Sequence, residues 1–227
     1  MKALVTGAAG GIGRALVARL AAESYDVLEL DLTTGFDVTK AEHWDAIGPV
    51  DVACLNAGVL TNEGDIAELT DEQYRRALGV NVDGVVFGTR RLAQVLEPGS
   101  AIVVTASLAG LMDMESDAIY SLTKHAVVGF VRSVAPQLET KGIRINMVNP
   151  GIVDTPMTAH QRHAFEAAGF PLMQPEQVAD AVWVAATSEE TGQSWVCQPG
   201  REPLRFRFQR VPGPRGPGAE GAVPPLR

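Results

Sequence analysis

Tyr120 and Lys124 stand four positions apart in YSLTKHAVVGF, just where an apolar helix begins. Residues i and i+4 share a helix face, so this spacing aims a phenol and an ammonium into one space. A phenol titrates near 10, too high for a base at neutral pH. A cation about 4 Å away, at an effective dielectric near 20, contributes roughly 4 kcal/mol or about three pK units before desolvation takes some back. The pairing would bring Tyr120 toward the range needed for proton transfer. Ser107 closes the strand-like run AIVVTAS, at the carboxyl edge where open α/β sheets bind ligands. Asn81 lies inside a long helical stretch, where its propensity is poor and its presence needs another reason.

These residues need a frame that brings separate stretches to one edge. The apolar runs KALVT, VLELDL, DVACLNAG, AIVVTAS, RINMVNPG and SWVCQPG alternate with helix-like segments. Helices are expected over Ile12 to Ala22, Ala41 to Ile47, Asp71 to Leu96, Ile119 to Thr140 and Pro175 to Thr187. Near-continuous apolar strands between helices predict the α/β class, with a doubly wound parallel sheet covered on both faces. Only TTG separates VLELDL from FDVT, whereas a parallel crossover needs a dozen or so residues. A shortened crossover is therefore expected after the second strand, with Phe36 to Thr39 forming a short strand or loop along the sheet edge.

TGAAGGIG, residues 6 to 13, joins the first strand to the first helix. Gly7, Gly11 and Gly13 suit a tight turn, close approach of a pyrophosphate and close helix packing, with phosphates at the helix N-terminus. In that context the turn predicts a single Rossmann-fold domain over residues 1–200. Asp31 follows Gly13 at the spacing of the carboxylate that hydrogen-bonds a ribose 2′-hydroxyl and repels a 2′-phosphate. No arginine or lysine lies within residues 6 to 13, although Arg14 follows, so NAD is favoured over NADP. Ile12 in the turn and Leu32 beside Asp31 join the expected cofactor contacts.

Together these markers resemble the short-chain dehydrogenase/reductase family, over residues 2 to about 200. They recur in family order: TGAAGGIG, NAG at 56–58, Asn81, Ser107, YxxxK at Tyr120 and Lys124, and PGIVDT at 150–155. SLAGLM and KHAVVGFVRS are most similar to the NAD-dependent hydroxyprostaglandin dehydrogenase branch. The resemblance implies an NAD-dependent oxidoreductase that passes hydride between a secondary alcohol or ketone and nicotinamide. It implies Tyr120 as acid/base, Ser107 as donor to the substrate oxygen, Lys124 on the nicotinamide ribose and Asn81 on a water linked to Lys124. Asp37 and Val38 would meet adenine, and Asn56, Ala57 and Gly58 would line the cofactor cleft. Pro150 and Gly151 open the second cofactor motif, in which Val153 and Thr155 would hold the carboxamide. Family members commonly pair through the two long helices, so a homodimer or homotetramer is expected.

Some positions depart from the family pattern. Leu55 stands where a second asparagine is common, and QPGREPLRF replaces the usual Asp-Gly-Gly after the last strand. Asp117, three before Tyr120, would place a carboxylate near the substrate mouth, which argues against acidic or prostanoid substrates. Met157, in a lid expected over Thr155 to Pro171, is a second candidate substrate contact. The alternative function is a catalytically silent NAD-binding sensor; such proteins usually lose the tyrosine or the lysine, and this chain keeps both.

Composition narrows the remaining classes. The 227 residues are 46% apolar and carry a net charge of −8 with pI near 5.0, which opposes binding to nucleic acid or anionic membrane. No apolar run nears a bilayer span, the start MKALVTG leaves no room for a secretory leader, and Cys54 and Cys197 form no CxxC pair, so a reducing cytoplasm is expected. Cys54 reads as a core thiol. His160 and His163 sit three apart without a Cys, Asp or Glu to complete a metal site, so no metal is expected. Residues 201–227 hold six arginines, six prolines and four glycines. LRFRFQRV within them alternates like a half-buried strand, so a short strand followed by a proline-rich arm laid on the acidic body or on a neighbouring subunit is expected.

Overall fold

Successive residues of a strand face opposite sides of a sheet, and here both sides are apolar. In the computed structural model, which describes residues 1–209 and 212, seven strands form one sheet in the order β2-β1-β3-β4-β5-β6-β7. They are β1 (Lys2–Thr6), β2 (Asp26–Leu30), β3 (Val52–Leu55), β4 (Ala101–Thr105), β5 (Arg144–Pro150), β6 (Ser194–Cys197) and β7 (Leu204–Arg205). The first six are parallel, and β7 returns antiparallel to β6. Leu4, Ala53, Leu55, Ile102 and Val104 face one core cluster. Their neighbours Ala3, Val5, Val52, Cys54 and Val103 face the other.

Helices close both clusters, as the doubly wound Rossmann expectation requires. The second is covered by α1 (Gly11–Ala22) through Leu16 and Leu20, and by the Val178 and Val182 stripe of Pro175–Thr187. The first is covered by Gly84–Val95 through Val85 and Leu92, and by Ala118–Glu139 through Val127, Val128 and Val131. Among the described residues no helix is long and apolar enough to cross a membrane.

The stretch after β2 is shortened, as its length dictates. Asp31 caps a 3-10 turn over Leu32–Thr34, which closes on Gly35 at φ +82°, a left-handed conformation glycine adopts without strain. Residues 36–39 form a turn rather than a strand, and the sheet ends at β2. The expected helix from Ala41 to Ile47 contracts to α2 (Ala41–Trp44). Trp44 then does the work of the missing crossover helix. It is 1% exposed, stacks edge-on with Phe36 at 5.1 Å and donates Nε1–H to the Val38 carbonyl at 3.0 Å. Gly88 makes room for it, since a Cβ there would lie 2.6 Å from the indole.

The single helix expected over Asp71 to Leu96 is broken into α3 (Asp71–Leu78), a π segment (Gly79–Asp83) and α4 (Gly84–Val95). A Thr70–Gln73 capping box starts α3. The π segment and the start of α4 press against residues 38–39: a Cβ on Gly79 would lie 3.3 Å from Thr39 Cγ2, and one on Gly84 2.9 Å from Val38 Cγ2. The later helices are α5 (Ala118–Glu139), α6 (Arg162–Ala167) and α7 (Pro175–Thr187). His160 lies in a 3-10 turn that runs into α6, where His163 sits, so the two histidines fall in different helical elements.

Of the strand expected over LRFRFQRV, the described residues form only the two of β7, and residues 210 and 211 lie outside them. Phe206 N–H adds one bond to the Ser194 carbonyl at 2.8 Å, while Leu204 and Phe206 stay exposed. Phe208 packs against the first cluster beneath the Arg132 guanidinium, 3.8 Å from its ring centroid. The rest of the expected arm lies outside the described residues.

Candidate active site

The carboxyl ends of β1, β3 and β4 meet through Asn56 and two threonines, Thr6 and Thr105, to which the sequence assigned no role. Thr6, the last residue of β1, accepts from the N–H groups of Asn56 and Ala57 at 2.8 and 3.1 Å through its hydroxyl. Asn56 returns an amide bond to the Thr6 carbonyl and accepts from the Thr105 hydroxyl at 3.1 Å. Thr105 also accepts, through its carbonyl, from Lys124 Nζ at 2.9 Å. The signal available in the sequence was a threonine ending each of the runs KALVT and AIVVT beside a recognised motif.

Above this edge, β1 enters the glycine-rich turn. Gly7 adopts φ +66°, and a Cβ on Gly13 would lie 2.0 Å from the Gly7 carbonyl oxygen, so the turn closes only with glycine there. Gly10 precedes α1 with no side-chain cap on the helix, which leaves first-turn N–H groups directed out of the turn. Ile12 packs against the second cluster and holds the turn to the sheet. Asp31 Oδ2 accepts from Ala9 N–H at 3.2 Å and its Oδ1 from Thr33 N–H at 3.0 Å. Burial alone would raise its pKa, but these bonds hold it below the ordinary carboxylate value. Arg14 instead faces the groove between α1 and α7, with Glu176 and Asp180.

Asp37 accepts from Thr39 N–H and hydroxyl at 2.9 and 2.8 Å, bonds that outweigh desolvation and lower its pKa. Val38 is 8% exposed and belongs to the core, whereas Leu32 is 73% exposed. These side chains, with the uncapped helix start and the glycine cradle, suit an adenosine and a pyrophosphate.

The chemical cluster forms where β4 and α5 adjoin the loop after β3. Ser107 lies two residues past β4, capping a 3-10 turn over Leu108–Gly110, and its Oγ accepts from Ala109 N–H at 3.1 Å. Its hydroxyl proton is thereby free to donate elsewhere. The first turns of α5 carry Tyr120 and Lys124, and the Lys124 Nζ lies 5.5 Å from the Tyr120 ring centroid. Gly110 allows α5 to come this close, since a Cβ there would be 2.7 Å from the Lys124 carbonyl oxygen. Asn81, fully buried in the π segment, accepts from Val59 N–H at 2.8 Å and donates to the Val59 carbonyl and the Thr123 hydroxyl at 2.9 and 3.0 Å. A Cβ on Gly58 would lie 3.4 Å from Asn81 Oδ1 and 3.5 Å from Lys124 Nζ, so Asn81, Gly58 and Lys124 converge. Thr123, immediately before Lys124, was also missed; only its place beside YxxxK could have flagged it.

Electrostatics correct one expectation. Burial pushes the Tyr120 phenol up to about 12, the neighbouring Ser107 hydroxyl pulls against this, and the Asp117 charge raises it further. Burial also lowers Lys124 to about 8. Lys124 Nζ donates to the Thr105 carbonyl and lies 5.5 Å from the Tyr120 ring centroid, and burial outweighs any lowering by its charge. Both shifts favour the neutral forms.

Asp117 is a second correction. It is 2% exposed, and its oxygens accept from the N–H groups of Thr61, Asn62 and Tyr120 at 2.7, 3.3 and 2.8 Å. With its charge spent on backbone, it does not line a substrate mouth.

Past β5, Pro150 ends the strand and Gly151 N–H donates to the Cys197 carbonyl at 2.9 Å. Val153 is buried in a bridge with Met173, and its carbonyl accepts from the Thr158 hydroxyl at 2.6 Å. Thr155 lies against Gly11, where a Cβ would meet its methyl at 2.7 Å. The two cofactor motifs therefore touch. Met157, 40% exposed, follows at the start of the expected lid. Cys54 is a buried thiol raised to about 12 by desolvation, consistent with a core role.

A seven-stranded, mostly parallel doubly wound sheet with Ser, Tyr, Lys and Asn at its carboxyl edge defines a nucleotide-dependent oxidoreductase class. A family model described as Enoyl-(Acyl carrier protein) reductase matches residues 14–196. Cyclohexanol dehydrogenase from an Acinetobacter species is 32% identical over 79% of this chain and 85% of its own length. An uncharacterized short-chain type dehydrogenase/reductase, y4vI, from Sinorhizobium fredii is also 32% identical, over 71% of this chain, which spans only 34% of that relative. The crystal structure of 3-ketoacyl-(acyl-carrier-protein) reductase from Brucella melitensis, complexed with NADH, superposes with a TM-score of 0.78 at 25% identity, covering 88% of this chain and 97% of that one. The chain belongs to the short-chain dehydrogenase/reductase family.

Proposed function

We propose that this protein is an NAD-dependent dehydrogenase that passes hydride between a secondary alcohol or ketone and nicotinamide, with Tyr120 exchanging the proton. The observation that carries this reading is the convergence of Tyr120, Ser107, Lys124 and Asn81 at one carboxyl edge beside the glycine-rich turn. Bound NAD would supply the hydride acceptor, while the substrate hydroxyl proton goes to Tyr120. Ser107, with its Oγ held by Ala109 N–H, donates to the same substrate oxygen and stabilises charge developing there. Lys124 holds the nicotinamide ribose, and Asn81 a water beside Gly58. Gly7, Gly11, Ile12 and Gly13 seat the pyrophosphate. Asp31 takes the adenosine ribose hydroxyls, with Leu32, Asp37 and Val38 around the adenine. Asn56, Ala57, Gly58 and Pro150 to Thr155 line the nicotinamide side, and Met157 meets substrate.

NAD is preferred over NADP because, among the described residues, no cationic side chain bonds to Asp31, whose carboxylate would repel a 2′-phosphate. The SLAGLM and KHAVVGFVRS likeness to NAD-dependent hydroxyprostaglandin dehydrogenases supports the same cofactor. The substrate is a small secondary alcohol or ketone, by likeness to cyclohexanol dehydrogenase. The protein works in the cytoplasm as a homodimer or homotetramer, with no nucleic-acid or membrane partner.

A phenol near 12 is protonated at neutral pH, the form that donates to a ketone. Ketone reduction should therefore run at neutral pH, and alcohol oxidation should rise with pH. The test is absorbance of reduced nicotinamide across a panel of secondary alcohols, cyclohexanol included, with wild type and Tyr120→Phe. Loss of the proton acceptor should lower kcat/KM by roughly 10²–10⁴-fold at unchanged NADH affinity. Full turnover by Tyr120→Phe on a substrate the wild type oxidises would end this reading.

A further inference from the structure

The main-chain groups of Tyr120 are held from both sides by one loop. On one side, Tyr120 N–H donates to Asp117 Oδ1 at 2.8 Å, while Asp117 Oδ2 accepts from Thr61 and Asn62 N–H at 2.7 and 3.3 Å. On the other, the Tyr120 carbonyl accepts from the Thr123 hydroxyl at 2.7 Å, and that hydroxyl accepts from Asn81 Nδ2 at 3.0 Å. Asn81 in turn grips both main-chain groups of Val59. Residues 59–62 therefore close a circuit that runs Asp117, Tyr120, Thr123, Asn81 and back. Asn62 sits at φ +58°, a left-handed turn conformation that asparagine tolerates better than most non-glycine residues.

We propose that Asp117 is the positioning residue of the catalytic tyrosine, its buried carboxylate tying the Thr61–Asn62 turn to the Tyr120 backbone so that the phenol is fixed against Ser107. This rests on Tyr120 acting as acid/base. A helix cap alone would use one oxygen; here the second oxygen is committed to a different element, so removing it frees the loop and the start of α5 from each other. The charged groups near Tyr120 are Asp117, whose charge raises the phenol's pKa, and Lys124, whose Nζ lies 5.5 Å from the ring centroid, while the Ser107 hydroxyl bonds the phenol. Removal of the Asp117 charge therefore favours the phenolate.

Asp117→Asn separates positioning from capping. Asparagine caps helices as well as aspartate, so the Tyr120 N–H keeps an acceptor. Its amide nitrogen cannot accept from Thr61 and Asn62, and the charge is gone. Measured on the secondary alcohol that wild type oxidises fastest, kcat should fall roughly 10–100-fold, the scale of a displacement near 1 Å. KM for NAD and the affinity for NADH should hold, and the acidic limb of the kcat/KM profile should move to lower pH. A lowered melting point with unchanged kcat and an unmoved limb would overturn the proposal. Tyr120→Phe on the same alcohol is the control: if it retains turnover, the acid/base reading has failed, and if it is dead while Asp117→Asn is unaffected, only the positioning role has. Should Asp117→Asn not fold, Asp117→Ser, which keeps a cap acceptor, takes its place. Failure of both to fold would make Asp117 a folding residue and also overturn the proposal.

Discussion

The two ends of the cofactor cleft are built differently. At the catalytic end, Asn56, Asn81 and Lys124 are held by partners far away in sequence: Asn56 by Thr6 and Thr105, Asn81 by Val59 and Thr123, Lys124 by Thr105. At the adenosine end, beyond β2, partners are mostly neighbours: Asp31 with Thr33 and Thr34, Asp37 with Thr39. The sheet stops there, and a tryptophan plug replaces a helix. Long-range bonds make position depend on the whole fold, whereas local caps survive substitution one turn at a time. Damage at the catalytic end should therefore reach both stability and turnover, and damage at the adenosine end should stay confined to cofactor choice.

The strongest way to break that contrast is Asn81→Ala. It strands the partly buried main-chain groups of Val59, and each such unsatisfied group costs up to roughly 1–3 kcal/mol. Chemical denaturation should show a loss of about 3 kcal/mol together with at least a tenfold fall in kcat. Loss of stability with intact turnover would mean that the loop does not position α5.

Lys124 offers the next test, through pH. Its pKa falls from 10.5 to about 8 on burial, so below about 8 both folded and unfolded chains carry the proton and the folded state bears the whole desolvation cost. Above about 8 the folded chain loses the proton before the unfolded chain does, and stability rises until the unfolded lysine titrates. Tyr120, raised to about 12, acts in the opposite direction only above 10. Between pH 8 and 10 the wild type should therefore gain about 2 kcal/mol relative to Lys124→Met. Parallel pH–stability curves for the two proteins would contradict the buried, deprotonating lysine.

Legibility in the sequence follows the same division. The alternation of apolar runs and helices, and residue types with a fixed chemical job such as Ser107, Tyr120 and the glycines of the turn, could be read directly. Thr6 and Thr105 could not, because a threonine at a strand end is chemically ordinary until a second strand end is beside it. Asp117 was legible as a carboxylate near Tyr120 but not in its direction: sequence spacing sets the turn of helix, and only packing decides whether a side chain faces backbone or cleft. The break at Asn81 was hidden because a π segment differs from a continuous helix by one register step. The short stretch after β2 was visible from chain length alone, yet the burial of Trp44 within it was not.

The smallest effect lies at the adenosine end, where Asp31 has two jobs that one substitution can separate. As a cap it accepts from Thr33 N–H, and as a charge it faces the glycine-rich turn through Ala9 N–H. Asp31→Ser keeps a hydroxyl acceptor for the cap and removes the charge, and serine caps about as well as aspartate. Thr34 still accepts from the backbone N–H of residue 31, so the 3-10 turn keeps its second bond. Melting should then change little, by under about 1 kcal/mol. KM for NAD should rise about tenfold, the value of one charge-assisted hydrogen bond to a ribose, while KM for NADP falls. With kcat held, the NAD/NADP preference would be set by one locally supported carboxylate. If instead kcat fell along with NAD affinity, the adenosine end would be coupled to the catalytic end through Ala9 and the turn, and the contrast between long-range and local support would fail.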